Sequence, residues 1–133
     1  VNKGGKIAKT EYVTRSRGHF ASLLQVKLHT GRTHQIRVHC SSIHHPLIGD
    51  VSYGGNAIAY TGIKSTALKR KAQECLEIMK RQALHARILG FQHPITQEHL
   101  LFEQPPPLDF TQVAELAEIQ IPDDLLVFYP QTK

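Results

Sequence analysis

Tryptophan is absent from this 133-residue chain, methionine occurs once, and aromatic residues make up only 7% of it. So few rings argue against a platform on which single-stranded bases stack in succession. The two cysteines, Cys40 and Cys75, stand alone and outside any CxxC spacing. That excludes a disulfide framework and points to reduced thiols in a cytoplasmic protein. No apolar run approaches the roughly 18–20 residues of a membrane span, and the opening VNKGGKIAKT shows no signal-peptide h-region. Neither GxGxxG nor a P-loop occurs, which removes the nucleotide-cofactor folds, and Ser41-Ser42 has no glycine elbow to make it a hydrolase nucleophile.

Acidic residues are also scarce where basic ones gather. Across the first third, Lys3, Lys6, Lys9, Arg15, Arg17, Lys27, Arg32 and Arg37 face Glu11 alone. A second basic group, Lys64, Lys69, Arg70, Lys71, Lys80 and Arg81, follows mid-chain. From Phe91 onward the balance reverses, with Glu98, Glu103, Asp109, Glu115, Glu118, Asp123 and Asp124 against Lys133. The formal net charge of +5 is therefore concentrated, as suits a polyanion that releases counterions on binding. With 41% hydrophobic residues and about one domain's length (roughly 100–150 residues), the chain can bury a core.

The patterning predicts an α+β fold. Glu11–Arg17 and Ser22–His29 read as antiparallel strands; in the second, Leu24, Val26 and Leu28 alternate with Gln25, Lys27 and His29. After Thr30-Gly31 the spacing turns helical, with Ile36, Cys40 and Ile43 on one face and His34, Arg37, Ser41 and His44 on the next. Thr33 is the natural N-cap, and Pro46 should stop the helix near His45. Leu47–Gly55 is a loop in which Asp50 reads as a turn-former bonding its own backbone. Ala67–Arg81 reads as a peripheral helix within the 57–82 stretch, with Leu68, Ala72, Cys75, Leu76 and Met79 at core spacing. Ala83–Phe91 and Leu100–Glu103 read as strands joined by a turn. Asp109 reads as the cap of a short helix carrying Val113, Leu116 and Ile119. Residues 1–10 read as a flexible end, and 120–133 as a tail whose apolar patch, 125–129, suits docking.

The run LHTGRTHQIRVHCSSIHH, continued by HPLIGD and YGG, concentrates Arg32, His34, Arg37, His39, His44 and His45 on one turn and one short helix. Such crowding needs an anion among the cations. Free N–H groups at a helix start favour one there, and an arginine fork suits phosphate or a half-buried carboxylate. GRTHQIRVH followed by HPLIGDxxYGG resembles the C-terminal catalytic-core motif of RluA-type RNA pseudouridine synthases. Leu84-His85-Ala86 with Leu89, and the run PPPLDF at 105–110, extend the likeness over roughly Tyr12 to Leu116, broken by the Ala57–Gln82 stretch.

The resemblance implies a mostly antiparallel sheet with helices packed on one side, half of the pseudouridine-synthase core. It implies isomerisation of uridine in RNA, large-subunit ribosomal (23S-type) RNA above transfer RNA, by an aspartate nucleophile and without metal or organic cofactor. By analogy Arg37 salt-bridges that aspartate and Leu89 packs beside the target base. RNA contacts fall to Arg32, His34, Lys27 and the Lys69, Arg70, Lys71 group. The family's GRLDxxTSG and K-x-Y segments do not occur here. The resemblance therefore implies that 1–133 is the C-terminal part of one catalytic domain, with the missing N-terminal half as its partner. The intact enzyme is expected as a monomer away from any membrane.

Two other readings compete on the residues. Nine histidines invite a metal site, but His34 and His39 are five apart, the wrong spacing for one helix face. A non-catalytic RNA-binding module is the alternative from another class, since a basic turn–helix can bind structured RNA by phosphate and shape alone. Cys40, on the apolar stripe, reads as inert core.

Overall fold

In the computed structural model, residues 5–58 and 65–125 are described. The expected apolar patch at 125–129 lies, beyond Leu125, outside them. Strand β1 (Thr10–Arg17) pairs antiparallel with β2 (Ser22–Leu28), and the ribbon leads into helix α1 (Gln35–Ser42). A 3-10 turn at Val51–Tyr53 and helix α2 (Thr66–Ile78) follow. Strands β3 (Ile88–Gln92) and β4 (His99–Glu103) form a second antiparallel ribbon. Helix α3 (Leu108–Leu116) and a 3-10 turn at Asp123–Leu125 complete the order. The α+β class and the antiparallel pairing agree with expectation. A single sheet does not form among the described residues: there are two separate two-stranded ribbons.

The core lies between α2 and α3. Cys75, Met79 and Val113 are buried together, with Phe20, Ile48, Ile58, Phe110 and Leu116 packed on them. Burying side chains of this size stabilises by roughly 1.5–3 kcal/mol each. The helix read as peripheral is thus central to this core, because Ala72, Cys75 and Met79 recur at helical spacing on one face and meet α3 there. Burial pushes the Cys75 thiol up to about 11, with Glu74 adding to the shift, and also raises that of Cys40. Both cysteines are free.

Several boundaries move for identifiable reasons. Helix α1 stops at Ser42 because His44 adopts a left-handed conformation (φ 63°), and His45 N–H and His44 N–H then donate to the carbonyls of Cys40 and Ser41. That is a Schellman ending with histidine where glycine is usual. Glu118 (φ 57°) ends α3 the same way, which leaves Ile119 outside the helix. Pro107, not Asp109, is the N-cap of α3; the Asp109 carboxylate instead takes a two-pronged bond from Arg81.

Strand β3 begins at Ile88, later than read, because the chain before it is drawn elsewhere: Ala83 N–H donates to the Ile48 carbonyl at 2.8 Å. In β1 the register shifts between Thr14 and Ser16, leaving Arg15 as the extra residue of a bulge. Its guanidinium bonds both carboxylate oxygens of Asp124, while Arg87 donates to the Asp124 carbonyl. The segment read as a flexible end is tied in from Ile7 onward, since the Ile7 and Lys9 carbonyls accept from Arg32 and Gln35.

Candidate active site around Arg37

The turn between β2 and α1 is organised by one buried amide. Gln35 is 5% exposed; its Nε2 donates to the Lys9 carbonyl (3.0 Å) and to Thr10 Oγ1 (2.8 Å). Its Oε1 accepts from Thr30 Oγ1 (2.7 Å) and from the Arg32 N–H (3.0 Å). The amide thereby does what a capping side chain would do for α1. The observed N-cap is His34, left-handed at φ 51° and without a side-chain cap bond, rather than Thr33. Gln35→Leu keeps the size but strands these partners, so it should destabilise the chain by about 2–4 kcal/mol. Equilibrium urea unfolding measures this. A change below about 0.5 kcal/mol, the ordinary surface value, would show the amide to be idle.

Two residues on, Arg37 points into the loop that follows α1. Its Nε donates to Asp50 Oδ2 at 3.0 Å and its Nη2 to Asp50 Oδ1 at 2.8 Å, a side-on fork. Asp50 is 1% exposed and the Arg37 side chain 15%. Its bonds to Asp50 hold the Arg37 guanidinium above its ordinary pKa, against the opposing effect of burial. The Asp50 carboxylate is therefore not the self-bonding turn-former that the loop composition suggested. The turn is closed by its backbone alone, with Asp50 N–H donating to the Leu47 carbonyl and Gly55 N–H to the Asp50 carbonyl.

Tyr53 completes the cluster. The Arg37 guanidinium carbon lies 4.9 Å from the centre of its ring, a cation–π distance. The Tyr53 hydroxyl is 3.2 Å from His34 Nδ1, and its carbonyl accepts from Ser41 Oγ at 3.0 Å. Glycine is required for the loop to reach this shape. Gly49 sits at φ 82° with the Arg81 carbonyl where a Cβ would go, and a Cβ on Gly55 would run into the Leu47 carbonyl.

A cavity of about 290 Å³ opens beside this cluster, lined by Leu28, Arg32, His34, Gln35, Ile36, Arg37, Gln82 and Leu84. It joins two guanidinium groups and an imidazole to an apolar wall. Arg32, His34 and Arg37 are thus brought together at one cavity. Leu89 lies 57% exposed on β3 and is not among the lining residues; Leu84 of the same motif is. Lys27 is exposed on β2, opposite Glu11. Lys69 and Arg70 are exposed on α2, and Lys71 pairs with Glu118 at 3.4 Å. None of these four lines the cavity. Among the described residues no three His, Cys, Asp or Glu side chains gather as a metal site would need, and no helix is long and apolar enough to cross a membrane.

Comparison with known proteins bears on this geometry. The family model described as RNA pseudouridylate synthase matches residues 1–42. Ribosomal large subunit pseudouridine synthase D of Vibrio parahaemolyticus is 43% identical over 114 residues, covering 84% of this chain and 33% of that protein. Over most of its length the chain is similar to RNA pseudouridine synthases. Within this family, synthase D of Pasteurella multocida is 40% identical over 129 residues, 93% of this chain and 37% of its own length. An uncharacterized RNA pseudouridine synthase of Chlorobaculum parvum is 46% identical over 115 residues, 84% of this chain and 33% of its own. The chain therefore spans about a third of the length of the relatives it matches.

Gln35, Asp50 and Tyr53 are site residues that patterning alone does not single out. Asp50 and Tyr53 stand in the HPLIGDxxYGG run, and the pairing of Asp50 with Arg37 had a signal: a fork-shaped donor and a lone acid separated by one short helix and one tight loop.

Proposed function

We propose that this chain is the C-terminal part of the catalytic domain of an RNA pseudouridine synthase acting on structured RNA, with large-subunit ribosomal RNA as substrate. The reading rests above all on the cavity wall, where Arg32, His34 and Arg37 stand beside Leu28, Ile36 and Leu84. A flipped pyrimidine nucleotide needs both halves of that wall: an apolar surface for the base and cations for its phosphate and for the acid that attacks it. The nucleophilic aspartate comes from the missing N-terminal half, and Arg37 keeps it ionised, since a nearby cation favours the charged form of an acid in a partly desolvated site. In the reaction the uracil leaves its ribose at N1, rotates, and rejoins the same sugar carbon through C5. N1 ends with the proton and C5 loses its hydrogen to solvent, so the balance is that of an isomerisation needing no cofactor.

The ribbon β3–β4 fits this reading. All five β3 residues are exposed, with Leu89 at 57% and Phe102 opposite it at 55%. A free two-stranded ribbon is marginal in water, and the missing half of the domain is its cover. Leu89 would then lie at that seam beside the target base. The intact protein works as a cytoplasmic monomer.

The test is release of tritium from C5-labelled uridine in ribosomal RNA by the intact synthase that contains this chain. Binding without release would instead favour the RNA-binding module. RNA affinity should fall steeply with salt, and neutralising Lys69 and Arg70 together should flatten the slope of log K against log salt by about one for each phosphate they neutralise. An unchanged slope would place that face of α2 away from RNA.

A further inference from the structure

Arg37 holds a carboxylate that the reaction just proposed does not use. Asp50 is almost wholly buried, so it cannot reach a nucleotide itself, yet it takes both Nε and Nη2 of the guanidinium in a side-on fork. Nη1 has no hydrogen bond among the described residues, and the side chain lines the cavity. An arginine on a short helix has about four free torsions, and a substrate-facing fork is useful only if they are fixed beforehand. The loop after α1 supplies the fixing on two sides: the Asp50 carboxylate along one edge of the guanidinium and the Tyr53 ring on its face.

We infer that Asp50 and Tyr53 are positioning residues for Arg37, a carboxylate and a ring that hold its guanidinium at the cavity wall with Nη1 left for the incoming nucleophile. The inference rests on the synthase reading of the site and adds what keeps that site in shape. The arginine is then flanked by two carboxylates in the intact enzyme, one permanent and buried, one reactive. The rigidity of the loop belongs to the same device. Gly49 and Gly55 occupy places a side chain would fill, and Ser41 Oγ ties the Tyr53 carbonyl back to α1. Charge alone does not require this construction, because a lysine or a free arginine would supply it.

The experiment compares Asp50→Asn, Tyr53→Leu, Arg37→Lys and the Asp50→Asn/Arg37→Lys double variant in the intact synthase, by C5 tritium release. Asp50→Asn keeps the size but loses the charged fork. It should lower kcat by about 100-fold, the cost of misplacing a reacting group by an ångström. KM for RNA should change by less than about threefold, because RNA contacts lie elsewhere. Tyr53→Leu leaves the ion pair and should lower kcat by roughly tenfold, with a larger rise in KM than Asp50→Asn because it also frees His34 from the Tyr53 hydroxyl. The double variant should be no slower than the slower single variant within about threefold, since both substitutions remove one unit. Each rate is taken at a temperature where circular dichroism shows the variant folded. A folded Asp50→Asn with kcat within about twofold of the parent would overturn the inference, as would losses that multiply in the double variant. If the parent itself releases no tritium, the synthase reading fails and takes this inference with it.

Discussion

Arg37→Ala in the intact synthase is expected to lower turnover by at least about 1,000-fold, the upper range for losing one preorganised charge at a reacting centre. Arg37→Lys should recover only part of that, because an ammonium keeps the charge but cannot make two parallel bonds. Two losses coincide in the alanine variant. On the proposed reading the nucleophile would lose the cation that keeps it ionised, and Asp50 is left as a buried carboxylate without its guanidinium. Water will then enter the loop, so a fall in melting temperature should accompany the fall in rate. RNA affinity should change far less than turnover in either variant, as Arg32, Lys27 and the α2 cations remain. Turnover preserved while binding is abolished would make Arg37 a phosphate ligand.

The chain by itself is expected to release no tritium from C5-labelled RNA at any concentration or pH. Its acids nearest to such a role are already engaged: Asp50 is buried on Arg37, Asp109 is forked by Arg81, and Asp124 by Arg15. None lines the cavity. The same preparation should bind an apolar dye, given that Leu89, Phe91, Leu101 and Phe102 lie 43–57% exposed on one ribbon. Supplying the rest of the domain should quench the dye and start turnover together. Release that scales with the concentration of this chain alone would force a search for a nucleophile among Asp50, Asp109, Asp123 and Asp124.

Much of the fold is legible because local rules govern it. The alternation of Leu24, Val26 and Leu28 marks β2, and Ala72, Cys75 and Met79 mark the buried face of α2 within a few residues of its limits. What escapes is tertiary in origin. No pattern in Ala83–Arg87 shows that Ala83 bonds Ile48 in place of a strand partner, yet that bond brings Gln82 and Leu84 to the cavity. A single sheet is the natural expectation, because hairpin patterns say nothing about which ribbons meet. The candidate site divides along the same line. Arg32, His34 and Arg37 stand out because cations crowded on one turn are visible in the letters. Asp50 is easily misjudged because Gly-Asp is a common turn pair, and only the path of the loop reveals that its side chain turns inward to α1.

The Gln35 amide also sets an order of events. Helix α1 is only eight residues long, well short of the length at which a helix persists in water by itself. Its first turn is held by groups from Lys9, Thr10, Thr30 and Arg32, which are adjacent only once β1 and β2 have zipped. The helix is therefore expected to condense onto a finished ribbon and not to seed it. Arg37, two residues beyond Gln35, is presented to the cavity only after that step. Substitutions that slow the closing of β1 on β2 will delay the appearance of the site in time, even where they leave the final geometry untouched.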